Sequence, residues 1–255
     1  MIHFVGAGPG AIDLITVKGK SLLEQTDVII YAGSLVNPQL LDYTKAFCEI
    51  HDSAKMTLEE VIEVMEEAYS KGKDVVRLHT GDPSIYGAIR EQMDLLEVRQ
   101  IPYEIIPGVS SFCGAAATLK AEYTLPHVSQ TVILTRLGGR TPVPPLEEMS
   151  LLASHHTTMA IFLSVGMADE LKKCLVKGGY SLDTPVAIVY KATWPDEKVY
   201  RGTVGTLEAV VRENKLTKTA LILVGPFLEA DYERSCLYHP DFTHGFREGS
   251  LCKSE

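Results

Sequence analysis

Three short apolar runs in the first half of this chain each end in a loop of small residues. Residues 2–5 (IHFV) lead into GAGPG at 6–10. Residues 74–79 (DVVRLH) lead into TGDPSIYG at 80–87, and residues 103–106 (YEII) lead into PGVSS at 107–111. Each loop is followed by a segment with helical features. A strand, a glycine turn and a helix in repeated succession predict a largely parallel sheet covered by helices on both faces. In such a sheet the loops leaving the carboxyl ends of the strands form the ligand site. One small-residue loop would mean only a tight turn, whereas three at equivalent positions point to a ligand approached closely by backbone.

Other elements fit the same alternation. Asp13 has the character of an N-cap for a helix running towards Gln25, and residues 27–31 form the next strand. Thr57-Leu58-Glu59-Glu60 is a capping box, followed by Val61, Val64, Met65 and Ala68 at helical spacing. A further helix is expected after Pro83, and Ser110 or Ser111 caps the helix that contains GAAATL. A second unit begins after Pro126. It contains strands at 130–136, 158–163, 185–191, 198–202 and 221–224, with a helix from about Leu146. The TWPDE turn joins two of these strands in a hairpin, so the second sheet is mixed. The expected organisation is α/β throughout: residues 1–124 as an N-terminal domain, 125–228 as a C-terminal domain, and 229–255 as an irregular tail.

Composition excludes several classes. A net charge of −9 over 255 residues argues against a general nucleic-acid binder. The five cysteines at 48, 113, 174, 236 and 252 form no C-x-x-C pair, which suggests neither a zinc site nor a disulfide framework and favours a reducing compartment. No apolar run is long enough to span a bilayer and no secretory segment is visible, so a cytoplasmic, membrane-free protein is expected. The eight histidines show no metal-ligand spacing, and no metal site is expected.

The pattern Gly6-x-Gly8-x-x-Ala11 formally satisfies a dinucleotide fingerprint. Two features count against that reading. The second strand ends Val28-Ile29-Ile30-Tyr31-Ala32-Gly33 without the carboxylate that would hold a ribose. Pro9 also removes a backbone donor where a pyrophosphate would need one. Asp82, held in extended backbone by the following proline, is the best-placed carboxylate at the sheet edge. Arg136 and Arg140 flank a glycine pair at a strand end, and Lys191 stands near Trp194. All three cations suit an acidic ligand.

Taken together, GAGPG, TGDPSIYG and PGVSS resemble the tetrapyrrole methyltransferase family over roughly residues 1–228. The finer features YAGSLVNP, QTVILTRLGGRTPVP and VYKATWPDEK are similar to the branch acting on C11 of precorrin-4 or its cobalt form. The resemblance implies two α/β domains with S-adenosylmethionine in the cleft between them, S-adenosylhomocysteine as product, a tetrapyrrole substrate and a homodimer. It implies cofactor contacts from Gly8, Pro9 and Gly10, from Thr80, Gly81, Asp82 and Ile85, and from Ser110 and Ser111. Leu163, Ala192, Thr219 and Ala220 match further cofactor positions. Asp82 is the candidate catalytic group, and Arg136, Arg140 and Lys191 are candidates for substrate binding. Relatives often carry Asp where this chain has Ala11. The alternatives are methylation at another ring carbon or of uroporphyrinogen, a nicotinamide oxidoreductase, and a non-catalytic corrinoid-binding protein.

Overall fold

The structure is a computed structural model describing residues 1–229 and 231–250. The chain divides into two compact units. The first comprises Met1–Lys120 with Val189–Val199 and Thr217–Leu221, and the second comprises Ala121–Ile188, Tyr200–Leu216 and Ile222 onward.

The first unit is built on five strands: β1 (Ile2–Gly6), β2 (Val28–Tyr31), β3 (Glu49–Asp52), β4 (Val75–His79) and β5 (Tyr103–Ile106). Their order is β3-β2-β4-β1-β5, and every pairing is parallel. The three inner strands β2, β4 and β1 read as near-continuous apolar runs because both faces of the sheet are covered. One face carries Val5, Ile29, Val76 and Leu78, packed with Leu23 of α1 (Val17–Gln25) and with Leu40. The other carries Ile2, Phe4, Val28, Ile30 and Val75. These pack with Val61, Ile62 and Met65 of α2 (Leu58–Ser70) and with Leu96 of α3 (Arg90–Val98). Each fully buried side chain of this size contributes roughly 1.5–3 kcal/mol. The last helix of the unit is α4 (Ser111–Leu119).

The capping box is formed as expected: Glu60 N–H donates to Thr57 Oγ1 and Thr57 N–H donates to the Glu60 carboxylate. Two helix starts differ from expectation. Residues Ile12–Leu14 form a short 3-10 turn, and α1 begins at Val17, capped by the Thr16 hydroxyl rather than by Asp13. The turn brings the Leu14 carbonyl back against Gly8, which delays the helix. The helix expected after Pro83 starts only at Arg90. Tyr86 and Ala88 both adopt left-handed backbone, and the intervening Gly87 is pressed against the Pro83 carbonyl. The polar edge strand β3 has no counterpart in the sequence expectation.

The second sheet adds β6 (Val132–Arg136), β7 (Thr158–Phe162), β8 (Pro185–Tyr190), β9 (Lys198–Thr203) and β10 (Ala220–Val224), in the order β6-β7-β10-β8-β9. β6 and β7 are parallel while β7 and β10 are antiparallel, so this sheet is mixed. Its helices are α5 (Met149–Ala153), α6 (Ala168–Lys177) and α7 (Leu207–Glu213). α5 starts three residues later than expected because Pro145–Glu147 forms a 3-10 turn. The described part of the tail contains a single short helix, Cys236–Tyr238, and one isolated bridge between His244 and Arg247. Cys252 lies outside the described residues. Among the described residues no helix is long and apolar enough to cross a membrane.

Candidate active site

Strands β4, β1 and β5 are adjacent, so their three carboxyl-end loops meet. They meet backbone to backbone. A Cβ added to Gly6 would fall 2.5 Å from Gly108 Cα and 2.7 Å from the Gly81 carbonyl oxygen, and one added to Gly108 would run into that same oxygen. Gly8, in left-handed backbone, exchanges hydrogen bonds with Gly81: its N–H donates at 3.3 Å and its carbonyl accepts at 2.9 Å. Glycine is required here by close packing as much as by torsion.

Asp82 ties the second loop to the third. One carboxylate oxygen accepts the Ser84 N–H at 2.8 Å together with the Ser84 hydroxyl, and the other accepts the Gly108 N–H at 2.8 Å. Burial would raise the carboxyl pKa. The hydrogen bonds from the Ser84 hydroxyl, Gly108 N–H and Ser84 N–H outweigh it and hold the pKa below the ordinary range. Three of the roughly four acceptor directions of this carboxylate are therefore filled within the protein.

The first loop also spends its donors internally. Ala7 N–H donates to the His79 carbonyl, Gly8 N–H to Gly81 and Ala11 N–H to Thr193 Oγ1, and Pro9 has none to give. Asn37 Nδ2 and Trp194 Nε1 donate to the carbonyls of Gly10 and Pro9. Among the described residues only the Gly10 N–H of this loop is uncommitted. A pyrophosphate cradle needs several free N–H groups converging on the anion. The dinucleotide reading therefore fails on geometry as well as on the missing carboxylate.

What the loops leave free is a set of hydroxyls. Thr80, Ser110 and Ser111 make no side-chain hydrogen bond among the described residues. Ser110 is buried at the N-cap of α4 without its hydroxyl capping the helix. Ile85, further along the second loop, is half-buried. Below the second loop, the buried His79 leaves its Nε2 unpartnered. Burial first, and the neighbouring Arg77 second, push the His79 pKa down to about 3, so the imidazole is neutral. Arg77 is itself buried, donating to Gln92 and to the Ile30 carbonyl.

The segment after β8 belongs to the first unit and includes Ala192, which is buried. Lys191, Thr193 and Thr219 all adopt left-handed backbone, a conformation that costs roughly 1 kcal/mol or more for each non-glycine residue. Lys191 N–H donates to the Thr219 carbonyl, joining this segment to the one that leads into Ala220 at the start of β10. The Lys191 ammonium pairs with Asp196 at 2.6 Å and lies over the Tyr190 and Trp194 rings.

The remaining candidates sit in the second unit. Leu163, at the end of β7, is left-handed and 67% exposed. Arg136 turns inward on its own loop, donating to the carbonyls of Leu137, Thr141 and Pro142. Arg140 is exposed and has no partner among the described residues. The structure thus brings together Gly8, Pro9, Gly10, Thr80, Gly81, Asp82, Ser110 and Ser111 within the first unit. Sequence reasoning assigned no role to Asn37 or Thr193, whose bonds to the first loop span 27 and 182 residues, or to Glu197, which joins Thr193 to Thr118.

Comparison with known proteins places this geometry in a family. Residues 1–208 match the model described as Tetrapyrrole (Corrin/Porphyrin) Methylases. A cobalt-precorrin-4 C(11)-methyltransferase of Methanocaldococcus jannaschii is 57% identical over 248 residues, covering 97% of this chain and 96% of the relative. The X-ray structure of a cobalamin biosynthetic enzyme, cobalt precorrin-4 methyltransferase, superposes with a TM-score of 0.88 at 50% identity, covering 90% and 96% of the two chains. A uroporphyrin-III C-methyltransferase from Thermus thermophilus, complexed with S-adenosylhomocysteine, gives 0.75 at 25% identity and covers 89% and 98%. The chain belongs to the tetrapyrrole (corrin/porphyrin) methylases.

Proposed function

We propose that this methyltransferase moves a methyl group from S-adenosylmethionine to C11 of precorrin-4 in its cobalt-bearing form. The observation that carries the cofactor half is the set of uncommitted polar groups on the three loops: the Gly10 N–H and the hydroxyls of Thr80, Ser110 and Ser111. They suit a ligand with scattered hydroxyl, amino and carboxylate groups rather than a compact pyrophosphate. The substrate half is supported by the two similar proteins above whose names specify cobalt-precorrin-4.

When bound, S-adenosylmethionine supplies an electrophilic methyl group on a sulfonium. Methyl transfer would then depend on how well the protein aligns the acceptor carbon with that methyl group. The protein's part is to hold both reactants. Gly8, Pro9, Gly10, Gly81 and Ile85 offer close-approach surface, and Asp82 fixes the second and third loops and keeps one acceptor direction for a hydroxyl or amino group; Ala192, Leu163, Thr219 and Ala220 are the further cofactor candidates that the family resemblance implies. Arg140 is the freest of the three substrate-binding candidates, while Arg136 and Lys191 already hold protein partners. The acceptor's electron-rich ring carbon requires no strong protein base. A homodimer in the cytoplasm belongs to the same reading, on the strength of the family resemblance.

The test is anaerobic turnover with cobalt-precorrin-4 and S-adenosylmethionine. The expected product is heavier by one methylene, with NMR placing the new methyl at C11. A methyl at another ring carbon would favour the uroporphyrinogen-type alternative. Binding without turnover would favour the carrier reading.

A further inference from the structure

The segment between β8 and β9 does more than connect two strands. Trp194, the chain's single tryptophan, donates its Nε1–H to the Pro9 carbonyl at 3.1 Å. Its ring lies so close to Gly10 that a Cβ there would collide with indole Cδ1 and Nε1. The neighbouring Thr193 accepts the Ala11 N–H at 2.9 Å. Glu197 then takes the Thr193 N–H at 2.5 Å and the Thr118 hydroxyl of α4 at 2.7 Å. α4 returns to the first loop through Gly114, where a Cβ would fall 2.9 Å from Pro9 Cβ. The contacts form a closed ring: first loop, Thr193-Trp194, Glu197, α4, first loop. Thr193 is held at a left-handed φ of 66° within it. Strained backbone of this kind persists where surrounding contacts over-determine it.

We propose that Trp194 is a positioning residue for cofactor binding. It pins the Pro9-Gly10 peptide, so that the loop is presented rigid with the Gly10 N–H as its free donor. The inference rests on the cofactor site proposed above and extends it to a residue that acts through the loop. A preorganised loop loses less freedom when the ligand binds, so releasing it weakens binding.

Two measurements on the full chain test this. Trp194→Phe keeps ring bulk and removes the N–H donor. One lost hydrogen bond predicts about a fivefold weaker Kd for S-adenosylhomocysteine and a matching rise in KM for S-adenosylmethionine. The kcat at saturating cofactor stays unchanged. A role confined to folding would instead lower kcat through the active fraction and leave KM alone. Separately, titrating the wild-type protein with S-adenosylhomocysteine should shift the emission of its sole indole saturably, with the midpoint at the calorimetric Kd. If wild type shows no calorimetric binding, the cofactor site itself falls. If wild type binds while Trp194→Phe matches it within about twofold, the positioning role alone is overturned. If the variant does not fold, the wild-type emission decides: a silent indole in a protein that binds overturns the proposal.

Discussion

Of the glycine loops that leave strand ends in this protein, those after β1 and β6 use glycine differently. The loop after β1 is buried, and added Cβ atoms at Gly6, Gly8 and Gly10 meet backbone or the Trp194 ring. The loop after β6 is mostly exposed. A Cβ at Gly138 would lie 3.3 Å from Val143 Cγ2 and one at Gly139 3.1 Å from Met167 Sδ, both side-chain atoms able to give way. The first loop is a fixed part of a mould formed by three strand ends. The second is shaped by Arg136 reaching its own carbonyls. Similar sequence signatures, GAGPG and LGGRTP, thus mark a tightly packed loop in one case and a loop with yielding neighbours in the other.

The largest expected effect breaks the first loop's neighbour. Gly108→Ala forces a methyl against the Gly81 carbonyl and should cost 3 kcal/mol or more, on the order of severe overpacking, with loss of cofactor binding. Denaturant unfolding checks it, and a cost under about 1 kcal/mol would mean that the loops separate easily.

A second effect lies beneath the loops. His79 has a folded pKa of about 3 against an ordinary value of 6.5, so below pH 6.5 the unfolded state takes up a proton that the folded state refuses. Stability therefore falls as pH drops from 6.5 towards 3, by roughly 1.4 kcal/mol per unit and about 2 kcal/mol between pH 7 and 5. His79→Leu should abolish that slope in urea melts at each pH. Asp82 adds in the same direction at lower pH: its lowered pKa gives stability that is present above the ordinary carboxylate range and lost on acidification through the folded value.

Asp82→Asn should cost about 2 kcal/mol, because the amide keeps a single acceptor oxygen and must turn its NH2 towards either the Gly108 N–H or the Ser84 donors, losing the bonds on that side. S-Adenosylhomocysteine affinity should fall with it. At the other end of the comparison, Gly139→Ala should change stability by no more than about 0.5 kcal/mol and leave cofactor affinity alone. A large loss there would erase the distinction between the two loops.

Much of the first unit was legible because its strands are buried on both faces, which leaves runs such as VVRLH unmistakable. The exceptions have local causes. Strand β3, EIHD, is a polar edge strand without an apolar signature. The delay of α1 comes from a turn folding back on Gly8, a contact that no propensity encodes. The Ser110 hydroxyl looked like a helix cap, yet it caps nothing. The clamp on the first loop was invisible for a different reason: Trp194 and Pro9 are 185 residues apart. Their pairing exists only once the chain has folded, so TWPDE read as a turn within a family-like motif near a substrate-binding candidate, not as a partner of GAGPG.

The most direct test of the central claim, that the three loops of the first unit hold S-adenosylmethionine, is calorimetric titration of the intact protein with S-adenosylhomocysteine, with NADH in parallel. Saturable heat with S-adenosylhomocysteine and none with NADH is the predicted result. Saturable NADH binding without S-adenosylhomocysteine binding would contradict it, because the first loop would then have to release donors that the structure shows engaged.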